Sequence, residues 1–203
     1  GAGWGDSLAV LVKMLQPLDL NPDIVQLMGS VTCESISSTP QAVVTAMAEV
    51  FHGHADFLNL PLYIPNDYVR ETLCNDANNS VILKKGIFCD KVIASIGTMG
   101  KIRESDYWRG SMPPEIYKDL VEKSACGSIL GRFFDANGQE LACDWNEKSI
   151  SLSIQQLRNI SDVVIVASPV SKAPALLSAL KGDFINTLIT DGTTATRILN
   201  EAK

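Results

Sequence analysis

The chain has 203 residues, 46% hydrophobic and 20% charged, a balance that supports one buried core and argues against disorder. Seventeen Lys and Arg face 23 Asp and Glu, a net charge of −6, which argues against this segment wrapping a nucleic-acid backbone by itself. Apolar runs are too short for a spanning helix, and Gly1-Ala2-Gly3-Trp4-Gly5 has neither the basic nor the apolar region of a signal peptide.

Along the chain, Asp6-Ser7 can cap a helix carrying Leu8, Leu11 and Leu15 at helical spacing and ended by Pro17. Ile24 to Met28 reads as a short strand running into Gly29-Ser30. Val43, Val44, Met47, Val50 and Phe51 form one face of a helix that closes near Gly53. Leu58 to Pro65 is extended and proline-interrupted, as at a sheet edge. A helix is predicted around Asn79 to Lys85, stopped by Gly86, and then a strand from Cys89 to Ile96 with a turn at Gly97-Thr98-Met99-Gly100. Lys101 to Pro114 is polar and aromatic without periodicity, which predicts a long loop of functional type. Ile116 to Val121 fits a short helix. Ser128 to Phe134 and Leu141 to Trp145 are predicted to form a hairpin around Asp135-Ala136-Asn137-Gly138.

The last third is the clearest. Val163 to Ala167 is a bare apolar run, as in a parallel strand covered on both faces. Ser171 to Leu180 is a helix that tolerates Pro174 in its first turn. Ile185 to Thr190 is predicted as another buried strand, and Asp191 opens a final helix through Asn200. The alternation implies one α/β domain over residues 1–203 with a largely parallel, doubly wound sheet and a small antiparallel hairpin.

The five cysteines (Cys33, Cys74, Cys89, Cys126, Cys143) are odd in number and contain no C-x-x-C pair, so they read as reduced core residues of a cytoplasmic protein. His52 and His54, beside Gly53, fit a solvated helix end better than a metal site, and no metal is expected. The G-x-G at Gly3 to Gly5 lacks the third glycine of a dinucleotide fingerprint, and no P-loop, G-x-S-x-G or H-E-x-x-H spacing occurs; no cofactor is expected. Asp135 and Glu140 flank a turn and read as solvated rather than as a catalytic pair. Tyr107-Trp108-Arg109 fits either a stacking platform or plain surface.

In an open α/β sheet, ligands collect beyond the carboxyl ends of the strands. The candidate loops are therefore Gly3 to Ser7, Gly29-Ser30, Gly97 to Gly100 and Ser168 to Lys172. The first and last open helices, whose N-termini favour anions or strongly polar groups. Lys172 is the cation placed in a strand-to-helix loop, suited to a phosphate or a sugar hydroxyl. Asp6, a carboxylate at a helix start, competes with a bound anion and keeps an unphosphorylated sugar open.

Several motifs occur in one order: Gly3-Trp4-Gly5-Asp6-Ser7-Leu8, Val25-Gln26-Leu27-Met28-Gly29, Leu60-Pro61-Leu62-Tyr63-Ile64-Pro65, Gly127-Ser128-Ile129-Leu130-Gly131-Arg132-Phe133-Phe134-Asp135, Val166-Ala167-Ser168-Pro169-Val170-Ser171-Lys172 and Leu188-Ile189-Thr190-Asp191. Together they resemble the effector-binding domain of SorC/DeoR-type sugar-sensing bacterial transcription regulators, over essentially the whole chain. The resemblance implies a Rossmann-like domain related in fold to sugar-phosphate isomerases and deaminases, yet non-enzymatic. It implies a sugar or sugar-phosphate effector, a homodimer or homotetramer, no membrane, and operator DNA read by an N-terminal helix-turn-helix that these 203 residues do not contain. Carried over by position, Trp4, Gly5, Asp6 and Ser7 would hold the ligand's polar end through backbone amides and the Ser7 hydroxyl, Gly29, Ser30 and Gln41 would line the next part of the cleft, and Lys172 matches the family's effector-contacting lysine; Gly3, Gly97 and Thr98 from the strand-end loops, with Ser128, complete the candidate set. Ser128 stands where the family commonly has an acidic residue, and Asp6 where it often has threonine, so the usual ligand is in question. The alternative is a sugar-phosphate isomerase or deaminase of the same fold, which needs a carboxylate or histidine base beside the ligand.

Overall fold

The structure is a computed structural model that describes residues 1–31, 35–105, 108 and 111–202. Its parallel strands are β1 (Asp23–Val25), β2 (His54–Asp56), β3 (Lys91–Ala94), β7 (Asp162–Val166) and β8 (Thr187–Ile189). β1 pairs with β2, and β3 with β7 and then β8, all in parallel. Ala2 joins the two groups. It bridges Gln26 and Ile93, both in parallel, with its N–H on the Val25 carbonyl at 2.8 Å and the Gly3 N–H on the Ile93 carbonyl at 2.9 Å. The layer therefore runs β2–β1–Ala2–β3–β7–β8. In chain order that is 3-2-1-4-5-6, the doubly wound arrangement, and the winding reverses between Ala2 and β3.

The helices against the layer bury apolar stripes, and some of them also carry a side-chain cap. α1 (Asp6–Met14) follows Gly5 and buries Leu8, Ala9 and Val12. α2 (Pro40–Val50) is capped by Thr39, whose hydroxyl accepts from the Ala42 N–H, and buries Val43, Val44 and Met47. α3 (Asp67–Cys74) starts at its Asn66 cap and has no buried residue; Val69 and Leu73 stand at helical spacing but stay exposed, and the helix was not apparent from the pattern. α4 (Ala77–Ile87) runs through Gly86 rather than stopping there. Gly86 is buried, and a Cβ on it would approach Leu27 to 3.4 Å, so it serves packing.

The strand expected over Cys89–Ile96 breaks at Ser95. Beyond it, β4 (Ile96–Thr98) leaves the parallel layer for an antiparallel one with β5 (Gly127–Ile129) and β6 (Arg132–Phe134). The expected turn at residues 97–100 is thus partly strand, followed by α5 (Met99–Glu104). The long loop expected from Lys101 is correspondingly helical at its start, and Trp108 is only 7% exposed. α6 (Pro114–Glu122) and α7 (Asp144–Lys148) follow. The hairpin also turns elsewhere than predicted: β5 and β6 are joined by Leu130 and Gly131 at φ 50° and 79°, a two-residue connection with both residues left-handed. Asp135 to Gly138 is a second turn, bridging Phe134 to Glu140, and Trp145 lies in α7 rather than in a strand.

α8 (Ile154–Leu157) begins with a reciprocal cap between Ser153 and Gln156. β7 buries Val163 and Ile165 completely, while Val164 and Val166 on the other face stay half-buried, so the cover expected on both faces is complete on one. A 3-10 turn (Val170–Lys172), α9 (Ala173–Lys181), β8 and α10 (Gly192–Glu201) complete the chain. β8 is an edge strand, with Ile189 50% exposed, rather than the buried one expected. Of the described cysteines only Cys143 is buried; Cys74, Cys89 and Cys126 are half-buried free thiols, which corrects the expectation of core positions, and Cys33 lies outside the described residues. Among the described residues, no helix is long and apolar enough to cross a membrane.

Candidate functional site

The reversal between Ala2 and β3 sends two segments out of the sheet side by side: Gly3 to Ser7 after Ala2, and Ser95 to Thr98 after β3. Gly3 presses against its neighbours; a Cβ there would sit 2.9 Å from the Leu130 side chain and 3.3 Å from the Ala94 Cβ. Gly5 has φ 113°, and a Cβ on it would meet nothing within 4 Å. Glycine is therefore needed at Gly5 for conformation, and the space beside it is open. Its N–H donates to the Ser38 carbonyl at 3.2 Å. The Ser38 hydroxyl in turn donates to Asp6 Oδ1 at 2.6 Å. One oxygen of Asp6 thus fastens the 3-10 turn Ile36–Ser38 to the start of α1, while Ser7 stays half-buried in its first turn.

Lys172 arrives from the other side, at the end of the 3-10 turn after β7. Its Nζ donates to Ser95 Oγ at 3.3 Å. Burial pulls its pKa below the ordinary 10.5, Asp6 raises it and Lys101 lowers it further. No described carboxylate lies within ion-pair distance of this half-buried ammonium. The turn also rests against β4, in which Gly97 pairs with Ser128 and Thr98 with Gly127. A Cβ on Gly97 would stand 2.5 Å from Ser128 Oγ, so that hydroxyl lies over the glycine. Gly3, Asp6, Gly97, Thr98, Ser128 and Lys172 accordingly belong to one neighbourhood.

Trp4 is half-buried at this rim, 6.4 Å from Trp108 between ring centroids and tilted by 57°. Trp108 continues inward to Phe133 at 5.7 Å and Trp145 at 5.5 Å. It is a core residue rather than surface; Tyr107 and Arg109 lie outside the described residues. Gly29 has a packing reason for being glycine, because a Cβ would meet the Pro61 carbonyl oxygen at 2.4 Å. Ser30 and Gln41 contact each other, the Gln41 amide donating to Ser30 Oγ, and Ser30 pairs through its backbone with Leu60 and Leu62. Among the described residues no hydrogen bond ties this pair to Lys172. Ser95 and Ser38 were missed in the sequence. Ser95 was hidden inside what reads as one continuous strand, and the only clue was its position two residues before Gly97.

Two other expectations change. Glu140 is not solvated: it takes Arg132 Nη1 on Oε1 at 2.7 Å and the Ile154 N–H on Oε2 at 2.6 Å, a structural tie. Asp135 folds its own turn, accepting from the N–H groups of Asn137 and Gln139. His54 is the first residue of β2 rather than a helix-end cap, so both histidines lie at the amino end of the sheet, opposite the loops just described. A depression of about 470 Å³ beside Arg132, Glu140, Ser153 and Arg158 shares no residue with this rim.

A family model described as "Putative sugar-binding domain" matches residues 1–200. The chain is 27% identical over 202 residues to the deoxyribonucleoside regulator of Bacillus subtilis (strain 168), covering 99% of this chain and 64% of that protein. It is 24% identical over 209 residues to the sorbitol operon regulator of Klebsiella pneumoniae, covering 98% and 64%. The chain thus spans less than two thirds of these curated relatives. Among solved structures, the full-length sorbitol operon regulator SorC from Klebsiella pneumoniae superposes with a TM-score of 0.90 at 24% identity, over 98% of this chain and 65% of that one. A DeoR family transcriptional regulator from Listeria monocytogenes gives 0.85 at 23% identity, over 98% and 78%. These structural likenesses show a shared fold.

Proposed function

The chain belongs to the sugar-binding domain family of SorC/DeoR-type transcriptional regulators, and on that premise we propose that the rim between Ala2 and β3 binds a sugar or sugar phosphate as an effector without transforming it. The observation that carries the reading is Lys172, a partly desolvated ammonium whose only hydrogen-bond partner among the described residues is the Ser95 hydroxyl. Removing a charge from water without a counter-charge is unfavourable. A phosphate or a set of sugar hydroxyls replaces the lost hydration. Ser7, Ser95 and Ser128 supply hydroxyls, the N–H groups of Asp6 and Ser7 supply donors at the start of α1, and Trp4 supplies an apolar wall. Gly3, Gly5 and Gly97 let backbone approach the ligand, whereas Gly29, Ser30 and Gln41 border the cleft from the β1 side. Thr98 and Asp6 hold the rim in shape.

In this reading residues 1–203 are the effector domain of a regulator whose operator contacts come from a helix-turn-helix segment, and effector binding shifts a dimer or tetramer equilibrium by a coupling of about 1–3 kcal/mol. The isomerase or deaminase alternative draws no support from the comparisons.

The test is a thermal-shift screen of pentoses, hexoses, polyols and their phosphates against wild type and K172M. One class of ligand stabilises the wild type by about 2.7 kcal/mol at a hundredfold its Kd and loses most of that effect on K172M. A flat response to every compound, or equal stabilisation of K172M, contradicts the proposal.

A further inference from the structure

The turn that presents Lys172 is tied to the β8–α10 junction at two side chains outside the cleft's recognition groups. Ser168 Oγ donates to Asp191 Oδ2 at 2.9 Å. Thr190 Oγ1 donates to the Ala167 carbonyl at 2.7 Å, beside the ladder bond from the Ala167 N–H to the Ile189 carbonyl at 3.1 Å. Asp191 is itself held, accepting from the Thr194 N–H at 2.9 Å and from Thr194 Oγ1 at 2.6 Å. Thr194 is fully buried. From Ser168 the chain needs one short turn to reach Lys172, whose N–H donates to the Pro169 carbonyl at 2.9 Å, and α10 rests against that turn.

We propose that Asp191 is a positioning residue for the effector site, acting through Ser168 to hold the Ala167–Lys172 turn so that the Lys172 ammonium stays half-buried against Ser95. This rests on the reading of Lys172 as an effector contact, but it concerns where the lysine sits before any effector arrives. As the cap of α10, Asp191 would be explained by its bonds to Thr194 alone. The additional bond, to a serine on the neighbouring strand's loop, spends the same carboxylate oxygen on the turn that carries the cation. A helix start anchored by a buried threonine thereby becomes the reference point for a side chain on a separate crossover.

The measurement needs no effector. The Lys172 side chain, labelled in the protein and assigned by its loss in K172M, is titrated by NMR in wild type, S168A, S168T and D191N. Asp6 and Lys101 are the described charges that act on Lys172, and none of these variants alters them. S168A removes the bridge and leaves the cap, so it folds with a melting temperature close to wild type. If the tie positions the turn, the lysine midpoint in S168A and D191N rises toward the ordinary 10.5 as the ammonium escapes to solvent, and S168T restores the wild-type value. A direct electrostatic effect has the opposite sign, because deleting a negative charge in D191N lowers a lysine midpoint. A midpoint unchanged in S168A, or lowered in D191N, overturns the proposal. Neither result bears on whether the cleft binds a sugar, which the ligand screen decides separately.

Discussion

Lys172 loses part of its hydration and receives one serine hydroxyl in return. The two carboxylates nearest in role are already engaged: Asp6 accepts from Ser38 and Asp191 from Ser168 and Thr194. Asp6 keeps its second oxygen as an acceptor, so with a serine at position 128 recognition falls to that oxygen, hydroxyls, backbone donors and the lysine. Asp191 also makes a pH prediction. Thr194 and then Ser168 pull its carboxyl from 3.8 to about 2. A folded-state value below the unfolded one means stability that is present above 3.8 and lost as pH falls toward about 2. Chemical denaturation of wild type and D191N across that range should show a difference that is constant at higher pH and shrinks within the window. A difference independent of pH would show that the charge contributes nothing. The lysine in a strand-to-helix loop was legible in the sequence, as was the Asp191 cap, because both follow from residue type and local position. Ser95 and Ser38 were not, since a serine announces no role until a partner across the fold is known.

At the scale of elements, β7 was readable from its unbroken apolar run and α2 from the helical spacing of Val43, Val44 and Met47. α3 and the Leu130–Gly131 turn were not readable. The turn is instructive, because Asn137-Gly138 carries the stronger hairpin signature and yet serves a second turn, while Leu130 adopts φ 50° with only 3% of its surface exposed. Tertiary packing of Leu130 against Gly3 outweighs the local preference of leucine. Replacing Gly131 should be costly on two grounds, a φ of 79° and a Cβ 2.7 Å from the Leu62 side chain. G131A is expected to lose about 1–3 kcal/mol in urea unfolding. G192A, where a Cβ meets nothing within 4 Å and φ is ordinary, should instead gain about 0.4–1 kcal/mol. Equal effects of the two would mean that the turn geometry is not as described.

For the molecule as a whole, one topological fact organises the rest. A single residue, Ala2, stitches β1–β2 to β3–β7–β8, and the reversal beside it opens the sheet where Gly3–Ser7, Ser95–Thr98 and the Lys172 turn converge. The doubly wound class was evident from strand–helix alternation; the exit of β4 into an antiparallel layer was not, because residues 89–96 carry an unbroken strand signal and only pairing reveals the break. The three tryptophans follow that junction inward, Trp4 to Trp108 to Trp145, so the rim is continuous with the core. The most direct test of the central claim is an amide chemical-shift map of the protein with a sugar or sugar phosphate that stabilises it. The largest changes should fall on Trp4 to Ser7, Ser95 to Thr98, Ser128 and Lys172. Changes concentrated instead around Arg132, Ser153 and Arg158, or along β8, with this rim silent, would contradict the account.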